Sequence, residues 1–95
     1  QERLIAEGIP CRTVRVTDDI YSAAPSERSK RRGVAGDLAV FRAAAWAAER
    51  HASLEQVAAF AERANDRTRS IGVAFSGCTL PGATEPLFIV PHGQM

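Results

Sequence analysis

Two adjacent carboxylates, Asp18 and Asp19, are the residues whose types and spacing most directly suggest chemistry. They follow residues 11–16, where Val14 and Val16 alternate with polar residues and predict a β-strand. Ligands of open α/β sheets bind at the carboxyl ends of strands, so the pair could contact a metal ion or sugar hydroxyls. The alternative, which we prefer, is that the carboxylates cap the next turn or accept hydrogen bonds from backbone amides.

A second candidate site is the glycine-bearing stretch at Gly33 and Gly36, which leads into a predicted helix. Free amides at a helix N-terminus can bind phosphate. However, the spacing fits neither GxxxxGK[ST] nor GxGxxG, and Asp37 is better explained as a carboxylate that complements the helix dipole. The preceding basic cluster has no interleaved aromatics, so we predict a solvated loop and no nucleic-acid partner; it consists of Arg28, Lys30, Arg31 and Arg32.

The histidines and cysteines do not combine into a metal-binding or nucleophilic pattern. His51 falls at the end of a long predicted helix, where it would complement the helix dipole. Cys11 and Cys78 show neither CxxC nor zinc-ligand spacing. Each is next to a predicted strand, where a free cysteine behaves as a small apolar residue, although a disulfide between them stays open. We therefore predict no metal site.

Two helices must position the candidate residues. The apolar face of the first has residues at spacings of three and four, namely Val34, Leu38, Phe41, Ala45 and Ala48. Its many alanines permit a neighbouring helix to approach closely, so we expect burial on more than one side. Ser53 and Gln56 form a capping box that predicts the start of the second helix at Ser53. The buried stripe of that helix would consist of Leu54, Val57, Ala58, Ala61 and Ala64.

The remaining segments predict an α/β fold, as part of a layered sheet-plus-helices domain with an αα-hairpin packed on the sheet. Strands are expected at residues 11–16, 71–75 and 87–90. Residues 1–7 read as a short helix with Leu4 and Ile5 turned inward, ended by Gly8. Residues 22–32 are small, polar and charged, and are expected to form a flexible loop.

Length and composition limit the classes of protein. The chain has 95 residues and a formal net charge of +1, which allows one small domain. Much of its apolar content is alanine, which buries little area, so we expect the chain to be a partial domain of a larger protein. It contains neither a signal peptide nor an apolar run long enough to span a bilayer. We therefore expect a cytoplasmic protein that does not contact membranes.

The chain contains a series of short motifs: VTDD at 16–19, RRGVAG at 31–36, AAAWAAER at 43–50, SLEQVA at 53–58, NxRTRSIGVA at 65–74, CTLP at 78–81 and EPLF at 85–88. In combination they resemble the DhaK (Dak1) domain of the dihydroxyacetone kinase family. The similarity is in register and covers essentially the whole chain. It identifies the chain as an internal fragment of such a domain.

The resemblance implies a ketose kinase whose DhaK part binds dihydroxyacetone or a related short ketose, such as the tetrose erythrulose. The phosphoryl donor would lie on a separate helical domain or subunit of the DhaL type, carrying ATP with magnesium or a nucleotide recharged by a phosphotransferase-system protein. Homodimers and a place in glycerol and carbohydrate metabolism are implied as well. The alternative is a catalytically inactive DhaK-like domain that serves interaction or regulation.

The resemblance also implies that no catalytic or substrate-binding residue lies in this chain. The glycine-rich GGGSGHEP segment and the aspartate of the TGD turn have no counterpart here. The histidine that holds the sugar belongs to a GIHGEPG motif beyond Met95, so His92 is not that residue. Arg31, Arg32 and Thr79 are the candidates for contacts behind the site or at an interface. The 95 residues alone are expected to be inactive.

Overall fold

The computed structural model describes all 95 residues and contains helices without a sheet. Its α-helices are α1, Glu2–Ala6; α2, Gly36–Glu49; and α3, Leu54–Arg67, and a 3-10 helix occupies Pro25–Lys30. The expected α/β fold is therefore wrong for this chain. The residues of the three expected strands are present as irregular segments, and the single β-bridge is a parallel pairing of Asp19 with Ser70.

The register of that bridge explains why the expected strands do not pair with each other. Because residue 19 faces residue 70 in parallel, residues 11–16 would pair with residues 62–67, which lie in α3. Residues 71–75 would pair with residues 20–24, which form a turn. Alternating apolar residues are not sufficient for a strand, because a strand also needs a neighbour whose backbone groups are free to pair.

Helices α2 and α3 pack against each other as an αα-hairpin. The start of α3 is fixed by the predicted capping box, which is confirmed: the Ser53 hydroxyl accepts from the Gln56 amide at 3.3 Å, and the Gln56 side chain accepts from the Ser53 amide at 2.9 Å. His51 lies in the connection, with a left-handed φ of 57°. Trp46 and Phe60 join the two helices, with ring centroids 5.4 Å apart.

The buried apolar residues are few and small: Val40, Ala47, Ala58 and Ala61. On α3 the predicted stripe is largely confirmed, although Leu54 is exposed. On α2 the prediction is wrong, because α3 packs on the side that carries Val40 and Ala47. The predicted apolar residues are exposed instead: Val34, Leu38, Phe41, Ala45 and Ala48.

The terminal segments add little buried surface. Helix α1 ends before Gly8, as predicted, and Gly8 has the left-handed φ of 75° that suits the residue after a helix. Leu4 and Ile5 are exposed, so their predicted inward orientation is wrong. Residues 71–95 contain two turns, at 81–82 and 92–93, and a hydrogen bond from the Leu87 amide to the Cys78 carbonyl at 2.8 Å joins the two sides of the longer loop around the first.

Candidate functional site

The carboxylate of Asp18 is fully buried, at 0% exposure, and sits at the start of α2. It accepts hydrogen bonds from three consecutive backbone amides: Val34 at 3.0 Å, Ala35 at 3.1 Å and Gly36 at 2.9 Å. These amides lack partners within the helix, and the positive end of the helix dipole favours a negative charge beside them. The structural interpretation of Asp18, as an acceptor for backbone amides, is confirmed.

The pKa of Asp18 shows which form of the carboxyl the surroundings favour. Burial raises this pKa, because a charge loses hydration. Hydrogen bonds from the Ser70 side chain and from the backbone amides of Val34 and Gly36 favour the carboxylate and lower the pKa to about 2. Asp18 is therefore an ionised anchor near neutral pH, and a group that is already deprotonated is poorly suited to donate a proton.

The glycines next to Asp18 are needed for close approach. A Cβ added to Gly36 would lie 2.6 Å from the Cγ atom of Asp18, and one added to Gly33 would lie 2.9 Å from the Cβ atom of Val16. The amides between these glycines are already bonded to Asp18. The hypothesis that they bind a phosphate is therefore not supported, because an internal carboxylate occupies the position of the anion.

Asp19 forms the second half of this arrangement. Its carboxylate accepts from the Tyr21 amide at 3.2 Å and from the Arg32 guanidinium at 3.0 Å. Its backbone amide donates to the carbonyl of Arg32 at 3.1 Å. On the other side, the Ser70 amide donates to the Asp18 carbonyl at 2.8 Å, and the Ile20 amide donates to the Ser70 carbonyl at 3.1 Å. Both aspartates therefore hold backbone segments together.

Asn65 connects α3 to the backbone of residues 15–17. Its side chain makes the hydrogen bonds that the backbone of a neighbouring strand would make. It accepts from the Thr17 amide at 2.9 Å and donates to the Arg15 carbonyl at 2.9 Å. Sequence reasoning missed Asn65, because it begins the polar run of residues 65–69. The available signal was its position four residues after Ala61, where it continues the buried stripe of α3. A polar residue at such a position must find partners inside the fold.

These contacts define one unit, called here the polar junction. It consists of Thr17, Asp18, Asp19, Arg31, Arg32, Asn65 and Ser70 with the amides of residues 34–36. Every buried side-chain nitrogen or oxygen in the chain has a hydrogen-bond partner. The arrangement can fix the relative positions of four backbone segments, and it leaves no unpaired buried group aimed at a ligand.

An open polar cleft of about 580 Å³ lies beside the junction and is the largest cavity of the chain. Its lining residues are Gln1, Thr13, Arg15, Thr17, Arg28, Ser29, Asn65 and Asp66. The Asp66 carboxylate is 2.7 Å from the Arg28 guanidinium, so these two charges largely satisfy each other. The cleft can offer hydrogen bonds to a polar molecule, but it contains neither a histidine nor a cysteine for covalent or acid–base chemistry.

The site residues predicted from the sequence do not lie together in the structure. The Arg31 guanidinium is buried and donates to the Ala23 carbonyl at 2.9 Å, so Arg31 and Arg32 both belong to the junction. Thr79 is exposed in the C-terminal segment, and its role stays a prediction. His92 is exposed in a turn. Cys11 and Cys78 are free thiols, so no disulfide joins them.

No three side chains of His, Cys, Asp or Glu lie together as a group that could hold a metal ion. The longest helices have 14 residues each, and none combines the length and apolar character that a membrane crossing requires.

Comparison with known proteins gives the chain a family. The Dak1 domain matches residues 1–95. An L-erythrulose kinase from Pectobacterium atrosepticum is 66% identical over 93 residues, which are 98% of this chain and 16% of that protein. An L-erythrulose 1-kinase from Mycolicibacterium smegmatis is 56% identical over 94 residues, 99% of this chain and 16% of that protein. The chain thus spans about one sixth of the length of these relatives.

The relatives also include separate sugar-binding subunits. The dihydroxyacetone-binding subunit DhaK of a PTS-dependent dihydroxyacetone kinase from Listeria innocua is 52% identical over 89 residues, 94% of this chain and 26% of that protein. No solved structure shows a significant match.

Proposed function

The chain belongs to the Dak1 domain family, and we propose that its protein is a ketose kinase in which these residues form part of the sugar-binding domain. The observation that carries this proposal is the 66% identity to an L-erythrulose kinase over nearly the whole chain. Because the match spans 16% of that relative, the activity is proposed for a protein of comparable length, called here the full-length protein.

The proposed substrate is a four-carbon ketose, L-erythrulose. Three erythrulose kinases are 66%, 56% and 52% identical to the chain, and two of them are named for the L enantiomer. A dihydroxyacetone-binding subunit from Escherichia coli is 33% identical. Dihydroxyacetone is the second candidate, because the subunit from Listeria innocua reaches 52%.

The proposed donor is ATP with magnesium, carried by a DhaL-type nucleotide-binding domain of the same polypeptide. The erythrulose kinases are longer than the DhaK subunits, since the chain covers 16% of the former and 26% of the latter. That additional length would accommodate a nucleotide-binding domain. A separate DhaL subunit served by a phosphotransferase-system protein is the alternative. Cytoplasmic location, a homodimer and a place in glycerol metabolism belong to the same proposal and rest on the family resemblance.

Within the full-length protein, we assign this segment the role of a scaffold. Its buried polar groups bond to each other, and its largest cleft contains no histidine or cysteine, while the one carboxylate of the cleft, Asp66, is paired with Arg28. Arg31 and Arg32 would act by holding the loop before α2 in place, and Thr79 is proposed as an interface contact. An inactive regulatory domain is not favoured, because the relatives named above are kinases or kinase subunits.

The test is a phosphorylation assay of the full-length protein with L-erythrulose, D-erythrulose and dihydroxyacetone, each with ATP and magnesium. We expect ADP formation that depends on the ketose and is fastest with L-erythrulose. Omission of the ketose is the control for background ATP hydrolysis. Absence of phosphorylation with all three ketoses, with ATP and with a phosphotransferase donor, would contradict the kinase proposal.

A further inference from the structure

The open cleft beside the polar junction has no hydrophobic residue in its lining. Its volume of about 580 Å³ is typical of small-molecule sites, although most such sites are lined mainly by hydrophobic residues. An apolar molecule would take water from the polar groups of this cleft without replacing their hydrogen bonds. The cleft therefore fits a small molecule that is polar over its whole surface.

The charges of the cleft favour an anion. Its lining contains two guanidinium groups, of Arg15 and Arg28, and one carboxylate, of Asp66. That carboxylate is 2.7 Å from the Arg28 guanidinium, so its charge is already paired. Arg15 takes part in none of the ion pairs of the chain. The cleft therefore contains one positive charge without a counter-charge.

Arg15 also has hydrogen-bonding capacity to spare. A guanidinium carries five N–H donors in a planar fork, which matches two oxygens of a phosphate group. The hydrogen bond of this side chain runs from Nη1 to the Ser29 carbonyl at 3.3 Å and holds the guanidinium beside the 3-10 helix. The hydroxyls of Thr13 and Ser29 line the same cleft. A phosphate bound by Arg15 would thus have hydroxyl groups nearby for the rest of the molecule.

We propose that this cleft binds a phosphate monoester of a short sugar, with the phosphate on Arg15 and the sugar hydroxyls on Thr13 and Ser29. The sugar part rests on the proposed function, because a ketose kinase releases such an ester as its product. The phosphate part rests on the charges of the cleft alone. Arg28 stays paired with Asp66 and forms one wall of the site.

The test measures hydrogen exchange in the full-length protein at the amides of Thr17 and Arg31, which lie at the cleft and next to it and are hydrogen bonded at 2.9 Å. A ligand that binds the folded state slows exchange in the segments that it holds. The probes are dihydroxyacetone phosphate, inorganic phosphate and dihydroxyacetone. The variant is Arg15→Gln, and the matched control is Arg12→Gln in the same segment, whose guanidinium pairs with Glu55 outside the cleft. Circular dichroism confirms that each variant is folded.

We expect dihydroxyacetone phosphate to slow exchange at both amides at lower concentrations than inorganic phosphate, and dihydroxyacetone to have no effect. Arg15→Gln should weaken binding of the ester by about tenfold or more, because it removes hydrogen bonds to a charged group. Arg12→Gln should weaken it by no more than about twofold, because a distant charge is screened. Ser29→Ala keeps the carbonyl that Arg15 contacts and should weaken binding by about threefold through loss of the hydroxyl alone.

Unchanged exchange at about 10 mM ester would overturn the proposal. Equal losses of affinity in Arg15→Gln and Arg12→Gln would overturn it as well, because they would indicate a general effect of charge. Equal binding of the ester and of inorganic phosphate would overturn the sugar part. Because exchange does not require turnover, a failure of the kinase assay together with ester binding would reject the proposed function alone.

Discussion

Around α2, charged side chains are buried and large apolar side chains are exposed, which is the reverse of the usual distribution. At its start, Asp18 and Asp19 are buried, whereas Leu38 and Phe41 of the helix are exposed. Five of the ten buried residues of the chain are polar or charged, although charged residues are normally the least buried class. Within this segment the buried polar groups find all their partners, whereas many large apolar side chains stay exposed.

The difference follows from the nature of the contacts. The hydrogen bonds of the junction are directional and short, and their donors and acceptors all lie between residues 15 and 70. They can therefore be satisfied within the segment. Apolar contacts require area rather than specific partners, and the small residues on the inner faces of α2 and α3 supply little of it. The segment is organised by its polar contacts.

The largest effect is expected for Asp18→Asn, which removes the charge at the centre of the junction. An amide at this place would turn donors toward the amides of residues 34–36, and we expect a loss of about 3 kcal/mol in local stability. The readout is hydrogen exchange in the full-length protein at the amides of Ile20 and Ser70, which do not bond to the mutated side chain. Exchange there should rise by about a hundredfold.

The control for that change is Asp37→Asn, in the first turn of the same helix. It should cost no more than about 1 kcal/mol, because a half-buried carboxylate near a helix N-terminus contributes mainly through the helix dipole. Equal losses of local stability for the two substitutions would show that Asp18 contributes no more than an ordinary carboxylate at the start of a helix.

Asn65→Ala is expected to have the next largest effect, about 2 kcal/mol, because it leaves the Thr17 amide and the Arg15 carbonyl without their partner. Exchange at the Thr17 amide should rise by more than tenfold. The comparison variant is Ala64→Gly, which weakens α3 at the neighbouring position by about 1 kcal/mol without touching a hydrogen-bonding side chain. If its effect on Thr17 equalled that of Asn65→Ala, loss of helix stability alone would explain both.

Acid should weaken the junction through the same carboxylate. The pKa of Asp18 is lowered from 3.8 to about 2 in the folded state, so its stabilisation is complete above pH 4 and is lost as the pH falls through about 2. The expected loss is roughly 2 kcal/mol. The measurement is the free energy of local opening from hydrogen exchange at the Ser70 amide, taken from pH 5 to pH 2 in the parent protein and in Asp18→Asn. The difference between the two proteins gives the contribution of the carboxylate. A difference that does not change with pH would contradict the assignment.

Gly36→Ala should destabilise by about 1–2 kcal/mol, because its Cβ atom would lie 2.6 Å from the Cγ atom of Asp18. Without that clash, the same change inside a helix would stabilise by about 1 kcal/mol. Gly72→Ala is the matched control, since a Cβ there meets no atom within 4 Å. Stabilisation by Gly36→Ala, read from the thermal midpoint, would show that Asp18 does not hold this position.

The smallest effect is expected for Glu55→Gln, which breaks the ion pair with Arg12. Both side chains are largely exposed, at 67% and 49%, so the loss should stay below about 0.5 kcal/mol. Thermal midpoints at low and high salt provide the measurement. A loss as large as that of Asn65→Ala would mean that burial does not decide which polar contacts matter.

Local chemistry could be predicted from the sequence where the interacting residues are near each other. The capping box needs only Ser53 and Gln56, and the hairpin needs only the short gap before it. The bonding of Asp18 to backbone amides is one of the two structural interpretations preferred from the sequence, because aspartate side chains commonly accept hydrogen bonds from backbone amides at turns. The partners themselves, 16 to 18 residues away, could not be read from spacing.

Other features depended on contacts that no local pattern specifies. Residues 11–16 alternate as a strand does, but the register set by Asp19 and Ser70 leaves them beside α3. Leu38 and Phe41 belong to the stronger apolar pattern of α2, yet the residues that α3 buries are the smaller Val40 and Ala47. Periodicity reports which residues prefer burial and does not report which neighbour buries them.

The central claim is that this segment supplies the scaffold of a Dak1 ketose kinase and not its reacting groups. The most direct measurement uses a chimera of the Pectobacterium atrosepticum L-erythrulose kinase in which residues 1–95 replace the matching segment. Its rate of L-erythrulose phosphorylation is compared with that of the parent enzyme. We predict a rate within tenfold of the parent, and a folded chimera that phosphorylates no ketose would contradict the claim.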